Sequence, residues 1–166
     1  MTSSPAPSGT AAPQDDAGTE PSDYLALNAV YGALLASVIV ATRNHGARDE
    51  PIGGLELLPI GAATFALSKV IAREKMGTWV RDPFVVGEGT YDRTPRGRGL
   101  RHVVGELVTC SRCVGAWSGL GIVGLRLASP PAGRALTSVL AASAANDFLH
   151  AGFRLLCARS NAEAGG

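Results

Sequence analysis

Long stretches without charge alternate with polar segments along this chain. Residues 24–42 contain no charged side chain at all. Residues 55–72 carry charges only near their ends, at Glu56 and Lys69, where long side chains can reach a membrane interface. A helix of about 20 mostly apolar residues crosses a hydrocarbon core of about 30 Å. The pattern therefore predicts two membrane-spanning helices in the first half of the chain.

Two more apolar stretches, 114–128 and 134–157, are separated by a turn that contains Pro130, Pro131 and Gly133. They predict a helical hairpin. The sequence thus predicts an all-α integral membrane protein with about four transmembrane helices. Small residues spaced four apart allow membrane helices to approach closely, and the apolar stretches contain such pairs, among them Gly32 and Ala36, Gly115 and Gly119, and Ala141 and Ala145.

The polar segments divide the chain further. Residues 1–23 are rich in Ser, Pro, Ala, Gly and acidic groups and predict a disordered acidic tail. The tail has no Lys or Arg, so it lacks the basic start of a signal peptide. Residues 24–54 form the first helix with an external loop, residues 55–157 a membrane core domain, and residues 158–166 a disordered C-terminus.

The hydrophilic centre, residues 73–112, holds eight basic residues: Arg73, Lys75, Arg81, Arg93, Arg96, Arg98, Arg101 and Arg112. The loop 43–54 holds only Arg43 and Arg48. Because cytoplasmic loops carry the excess of Lys and Arg, we expect 73–112 to be cytoplasmic. With four crossings, the N-terminus and the C-terminus are then cytoplasmic as well.

One amphipathic helix is predicted inside this loop. Its apolar stripe is Leu100, Val103, Val104, Leu107 and Val108, and its opposite side holds Arg101, His102, Gly105 and Glu106. This spacing is that of a helix with one apolar face. Either the helix lies in the membrane surface or it packs on the rest of the protein.

Overall charge and cysteine content exclude two classes of protein. The net charge of +1 argues against a nucleic-acid-binding protein, which usually carries a basic excess. Three cysteines without a secretory leader argue against a disulfide scaffold.

Cys110-Ser111-Arg112-Cys113 is the motif with the clearest chemical potential. Two thiols at this spacing can form a disulfide, supply half of a zinc site, or do neither. The predicted topology places Cys157 and His102 on the same membrane face, which would complete a Cys₃His zinc site. Three interpretations stay open: a metal site with zinc as its cofactor, thiol redox chemistry, and small buried residues at a helix junction.

Lys69 and Asp147 lie in apolar stretches, where ionisable groups are costly and commonly functional. We predict that they form an ion pair. His150 lies one turn beyond Asp147, and the alternative is that the last helix leaves the hydrocarbon near Leu149, so that Asp147 and His150 are at the wet inner boundary.

Several motifs resemble the bacterial domain-of-unknown-function 1360 family of small membrane proteins. The most specific runs Gly105-Glu106-Leu107-x-x-Cys110-x-x-Cys113-x-Gly115-x-Trp117, and Arg81-x-Pro83-Phe84 is another. The resemblance covers roughly 55–150 and implies a bacterial inner-membrane protein in which Glu106 and Trp117 belong with the two cysteines. The family implies no reaction.

The sequence favours a non-enzymatic membrane protein, structural or accessory, in contact with the lipid bilayer. Its loop 73–112 would meet a protein partner or anionic lipid. The alternative is a membrane thiol-redox or metal-binding protein centred on Cys110 and Cys113. A small transporter subunit that uses Lys69 and Asp147 is a third hypothesis, disfavoured because paired broken helices are not evident.

Overall fold

The computed structural model describes residues 19–44, 52–87 and 93–164, and nearly all of them are helical. The predicted all-α class is therefore confirmed. The helices are α1 (Pro21–Asn44), α2 (Leu57–Arg73), α3 (Thr78–Arg81), α4 (Leu100–Thr109), α5 (Ser111–Ala128) and α6 (Pro130–Ala164), with single 3₁₀ turns at Gly54–Glu56 and Lys75–Gly77. Most of the predicted disordered tail, residues 1–18, lies outside the described residues, as do 45–51, 88–92 and 165–166.

The helix ends differ from the prediction in two places. α1 begins at Pro21, inside the predicted tail, because proline is favoured at the first helical position and the Asp23 carboxylate accepts the Glu20 backbone N–H at 3.1 Å, as in a capping box. α6 continues to Ala164, so residues 158–164 are helical where disorder was predicted. Their Ala and Arg content supports a helix without apolar periodicity.

α2, α5 and α6 form a three-helix bundle around Ile60, Ala63 and Ile122. Ala63 and Ala144 are fully buried, so the helices approach each other at small side chains. The pair Gly115 and Gly119 faces α2, since a Cβ added at Gly119 would lie 3.6 Å from the Thr64 side chain. The other two predicted pairs do not pack in this way.

Gly32 has open space around it, and Ala145 is exposed. The buried face of α6 instead contains Thr137 and Ala144. Of the three small-residue pairs named from the sequence, only Gly115 and Gly119 therefore mark a packed helix face.

Contacts between side chains give the directions in which the helices run. Glu56 of α2 meets Arg126 of α5, and Lys69 of α2 meets Asp147 of α6. Tyr31 of α1 contacts Trp117 of α5, and further along both helices Val38 lies 3.6 Å from a Cβ added at Gly124. α1 is therefore parallel to α5, and α2 is antiparallel to both and parallel to α6.

The number of candidate membrane spans is lower than predicted. Within the described residues, Pro21–Arg43 and Gly54–Arg73 are long and apolar enough to cross a membrane, and α4 with α5 makes a third only if the bent pair is one span. The predicted fourth span in 134–157 does not qualify. Polar side chains such as Ser143, Asn146 and Asp147 lower its mean hydropathy.

α4 packs against its own protein. It contacts α1, α3, α5 and a short antiparallel strand pair, β1 (Val85–Val86) and β2 (Thr94–Pro95), in which Val85 pairs with Pro95. Gly105, placed on the polar side by the sequence pattern, is buried: a Cβ there would lie 2.6 Å from the Phe84 carbonyl oxygen. Because glycine has no side chain, the Phe84 backbone can approach α4 at Gly105. The buried face of α4 is therefore wider than the predicted apolar stripe.

Candidate functional site

The two cysteines lie where α4 turns into α5. The helix axes meet at 91°, and Cys110 between them has an extended backbone. Its sulfur accepts the backbone N–H of Cys113 at 3.4 Å and so caps the start of α5. The first N–H groups of a helix lack intrahelical partners, which makes this position favourable for a thiolate.

The thiols of Cys110 and Cys113 contact each other directly. The Cys113 thiol donates to the Cys110 sulfur across 2.7 Å. This hydrogen bond, aided by the backbone N–H groups of Cys113 and Arg112 and by the Arg112 charge, lowers the pKa of the Cys110 thiol despite its partial burial. Cys110 is half-buried and Cys113 is exposed, which disfavours the interpretation that both merely fill a buried helix junction.

Beside the thiols lies a cavity of about 400 Å³. Its walls come from α1, α4 and α5, and its lining is mainly apolar. The lining residues are Tyr24, Leu27, Asn28, Tyr31, Val103, Glu106, Leu107, Cys110, Cys113, Ala116 and Trp117. All four residues that the sequence motif linked, Glu106, Cys110, Cys113 and Trp117, thus share one cavity.

Glu106 is the charged group of this cavity. Its carboxylate accepts the Tyr24 hydroxyl at 2.6 Å, and its other oxygen lies 3.7 Å from Nε2 of His102 one turn earlier. Tyr24 and Glu106 therefore form a hydrogen-bonded pair in the wall of the cavity, and His102 lies beside Glu106. A carboxylate in such a pair can accept a proton.

Aromatic rings form the opposite part of the cavity wall. Tyr31 and Trp117 meet edge to face, with ring centroids 5.2 Å apart, a favourable arrangement for an aromatic pair. No sequence pattern connected Tyr24 or Tyr31 with the cysteines. Their role in the cavity depends on the parallel packing of α1 on α5, which no pattern within either segment encodes.

The four predicted zinc ligands are not brought together. Within the described residues, no three His, Cys, Asp or Glu side chains are close enough to hold a metal ion. Cys157 lies on the part of α6 where every position from 148 to 163 is exposed, beyond the contacts with the bundle. Only Cys110 and Cys113 are neighbours, and His102 is directed at Glu106.

The predicted ion pair between Lys69 and Asp147 is present. Lys69 Nζ donates to Asp147 Oδ2 at 2.8 Å and lies 3.1 Å from Glu74 Oε1, a second partner that was not predicted. The Lys69 and Asp147 side chains are about one-third exposed (36% and 35%). Phe148 stacks on Phe65 beside them, so this end of α2 is tied to α6.

A second ion pair, missed from the sequence, closes the opposite end of the bundle. Arg126 Nη2 donates to Glu56 Oε1 at 3.2 Å, and Arg126 is only 4% exposed. Among the described residues, four side-chain atoms are buried without a hydrogen-bond partner: Arg126 Nε, Glu56 Oε2 and Thr137 Oγ1 at this end of the bundle, and His102 Nδ1 elsewhere. The sequence held one clue to this pair. Glu56 lies near the start of one apolar stretch and Arg126 near the end of another, and these ends meet when the two stretches pack antiparallel.

Three arginines of the basic segment donate hydrogen bonds to backbone carbonyl groups of the protein itself. Arg81 is buried and donates to the carbonyl oxygens of Val70, Ile71 and Glu74, which end α2; this burial lowers the pKa of Arg81. Arg93 donates to the Ala72 carbonyl, and Arg101 donates to the Pro83 carbonyl. These bonds satisfy carbonyl groups that a helix end or a turn leaves open.

Fold and site together define an all-α protein with two to three candidate membrane spans and a dithiol beside a cavity. The chain belongs to the family described as "Protein of unknown function (DUF1360)", whose model matches residues 59–153. The match includes the dithiol, Glu106 and Trp117, whereas α1 lies outside it. No curated protein and no solved structure matches the chain.

Proposed function

We propose that this protein is a multi-pass integral membrane protein whose Cys110 and Cys113 form a redox-active dithiol. The observation that carries the proposal is the direct contact of the two sulfurs, 2.7 Å apart, at the start of α5 and beside an accessible cavity. Cysteines at a helix start next to a basic residue are the reactive ones in proteins, because the thiolate is the nucleophile.

Exposed apolar side chains support the membrane assignment. Leu25 and Val30 on α1 and Leu58 on α2 are each more than half exposed, an arrangement suited to lipid rather than water. Trp79 is 78% exposed and lies four residues after the exposed Lys75. Trp is enriched where a membrane protein meets the headgroup layer.

The proposed orientation keeps both termini and the dithiol on the cytoplasmic side of a bacterial inner membrane. The start of α1, the end of α2 and the start of α5 lie at one end of the bundle, together with the basic segment. Arg81, Arg93 and Arg101 donate to backbone carbonyl groups, and Arg73 donates to the Ser111 hydroxyl at 3.3 Å. The basic residues left to face anionic lipid or a protein partner are Lys75, Arg96, Arg98 and Arg112, all exposed.

The dithiol is tested with the full-length protein in detergent. Equilibration in reduced and oxidised dithiothreitol, followed by alkylation and peptide mass spectrometry, should show one reversible disulfide between Cys110 and Cys113. Cys157→Ser should leave this transition unchanged, and Cys110→Ser should abolish it. A disulfide that joins different copies of the chain, or no reversible transition at all, contradicts the proposal. Metal analysis of the same untagged sample tests the zinc alternative.

Orientation is tested by labelling with a membrane-impermeant maleimide in a variant whose three cysteines are Ser. From outside the cell, the reagent should modify Ala47→Cys and leave Gly89→Cys unmodified. The reverse pattern would contradict the proposed topology.

A structural or accessory role is the second candidate, and one observation favours it. The Cys110 sulfur caps α5 through the Cys113 N–H, a role that a serine hydroxyl also fills. If Cys110→Ser preserves both stability and cellular function, the capping role is sufficient. If it preserves stability and abolishes function, the thiol itself is required.

A further inference from the structure

We infer that the cavity beside Cys110 and Cys113 binds a quinone, which accepts two electrons from the two thiols. This inference rests on the proposed dithiol function. It adds the chemical class of the substrate, which neither the family nor the sequence provides.

The size and lining of the cavity suit a small, planar, uncharged molecule. A volume of about 400 Å³ falls in the range of roughly 300–1,000 Å³ that small-molecule sites occupy. Leu27, Leu107 and Ala116 supply apolar surface, and Tyr31 and Trp117 supply flat rings. A planar, uncharged ring suits these walls, whereas a charged peptide or a free nucleotide does not.

The polar groups of the cavity match those that a quinone needs for its reduction. They are the two thiols, Glu106 with its Tyr24 partner, and Asn28. A quinone has an apolar ring with a carbonyl oxygen at each side, so it needs hydrogen-bond donors and a proton source at the reacting edge. The hydrogen-bonded Tyr24 and Glu106 line the same cavity as the thiols and provide such a source.

The location of the cavity favours a substrate that is dissolved in the lipid bilayer. One wall is α1, which touches the rest of the protein only through α4 and α5 among the principal helix contacts and presents its other sides outward. In the proposed membrane setting, the cavity thus lies at the lipid-facing edge of the bundle. A substrate dissolved in the bilayer reaches this edge directly, whereas a soluble oxidant must cross the headgroup layer.

The reaction balances with these partners alone. Both S–H bonds break, and one S–S bond forms between Cys110 and Cys113. The two thiols are oxidised by two electrons, and the quinone is reduced to its hydroquinone. The two protons that leave the sulfurs end on the two quinone oxygens, with Glu106 as the intermediate acceptor.

The test uses the reduced full-length protein in detergent and a fully substituted benzoquinone with a short alkyl tail. Full substitution removes the ring positions to which a thiol adds covalently. We expect one hydroquinone, measured by absorbance, for each Cys110–Cys113 disulfide, measured by mass spectrometry. The rate should saturate as the quinone concentration rises. In Trp79→Phe, which leaves Trp117 as the chain's remaining tryptophan, quinone should quench the fluorescence over the same concentrations.

A matched pair of variants separates the cavity from the thiols. Ala116→Phe fills the cavity, and Ala128→Phe adds the same ring at an exposed position at the other end of α5. Ala116→Phe should lose the saturable quinone reaction and the quenching, while Ala128→Phe should keep both. Diamide, a soluble oxidant of dithiols, should form the disulfide in both variants, which verifies that the dithiol is intact.

The outcomes distinguish the two proposals. If diamide forms the disulfide and quinone does not, or if Ala116→Phe reacts with quinone as the unmodified protein does, the quinone inference is overturned and the dithiol function stands. If neither oxidant joins Cys110 to Cys113, the proposed function fails, and the inference fails with it.

Discussion

The two ends of α5 both place polar groups at the edge of an apolar bundle, but they do so in opposite ways. At the C-terminal end, Arg126 is buried against Glu56, and a Cβ at Gly133 would lie 2.4 Å from the Arg126 backbone, so no space is left. At the N-terminal end, Cys110 and Cys113 border a cavity of about 400 Å³. Polar groups that are enclosed serve stability, whereas polar groups with access to a cavity are available for chemistry.

The comparison also explains why only one end qualifies as a functional site. Arg126 and Glu56 neutralise each other, and the closed packing excludes a ligand. The thiols contact each other and also face open volume that a planar molecule can occupy.

Arg126→Met should have the largest effect on stability. It removes the counter-charge of Glu56 and leaves a carboxylate in a mostly apolar setting, which costs about 3 kcal/mol of unfolding free energy, at the low end of the range for a broken buried pair. The low end of the range applies because the Glu56 side chain is one-third exposed (33%), so that water partly solvates the unpaired carboxylate. Unfolding in detergent measures the change.

The double variant Glu56→Gln with Arg126→Met should recover part of this loss. Arg159→Met, at an exposed position of α6, is the control and should change little. Equal stability of Arg126→Met and Arg159→Met would show that the closed end contributes nothing.

Gly77→Ala should be the next most damaging change. A Cβ at Gly77 would lie 2.2 Å from the Val70 carbonyl oxygen and 2.7 Å from the Arg81 guanidinium, so it displaces the cap on the end of α2. We expect a loss of about 1–3 kcal/mol of unfolding free energy, as for other overpacked sites.

Gly61→Ala is the matched control, since Gly61 lies in α2 with open space around it. There the helix propensity of alanine should stabilise the protein by up to about 1 kcal/mol. If both alanine variants have the same stability, the Arg81 cap is not needed.

Lys69 and Asp147 should show a smaller, measurable coupling. Because both side chains are about one-third exposed, solvent weakens the pair, and a double-mutant cycle with alanine should give about 1 kcal/mol. Lys69→Ala should cost more than Asp147→Ala, since Glu74 still pairs with Lys69 in the second variant. Strictly additive losses would mean that the pair contributes no coupling energy.

Part of this structure follows from the sequence because the signals are local. The apolar stretches predict α1, α2 and α5, and the cost of ionisable groups in apolar segments predicts that Lys69 pairs with Asp147. The family resemblance implies that Glu106 and Trp117 accompany the thiols, and both residues line the same cavity as Cys110 and Cys113.

The rest depends on packing between distant segments. The contact of Tyr24 with Glu106 requires the parallel docking of α1, and the Arg81 cap requires the path of a loop. Gly105 is counted with polar residues in a periodicity, yet its missing Cβ is what allows the Phe84 backbone to approach. α6 extends to Ala164 because helix propensity operates where apolar periodicity has ended.

The open end of α5 is tested most directly by the pH dependence of Cys110 alkylation, resolved by peptide mass spectrometry. The thiolate is the reactive form, and the pKa of Cys110 is lowered in the folded protein, first by the Cys113 thiol. The pH of half-maximal rate should therefore be lower in the folded protein than in the unfolded chain. Cys113→Ser, whose hydroxyl still donates, should keep most of this difference, and Cys113→Ala should reduce it. A folded protein that reaches half-maximal rate at the same pH as the unfolded chain, or at a higher one, would contradict the account.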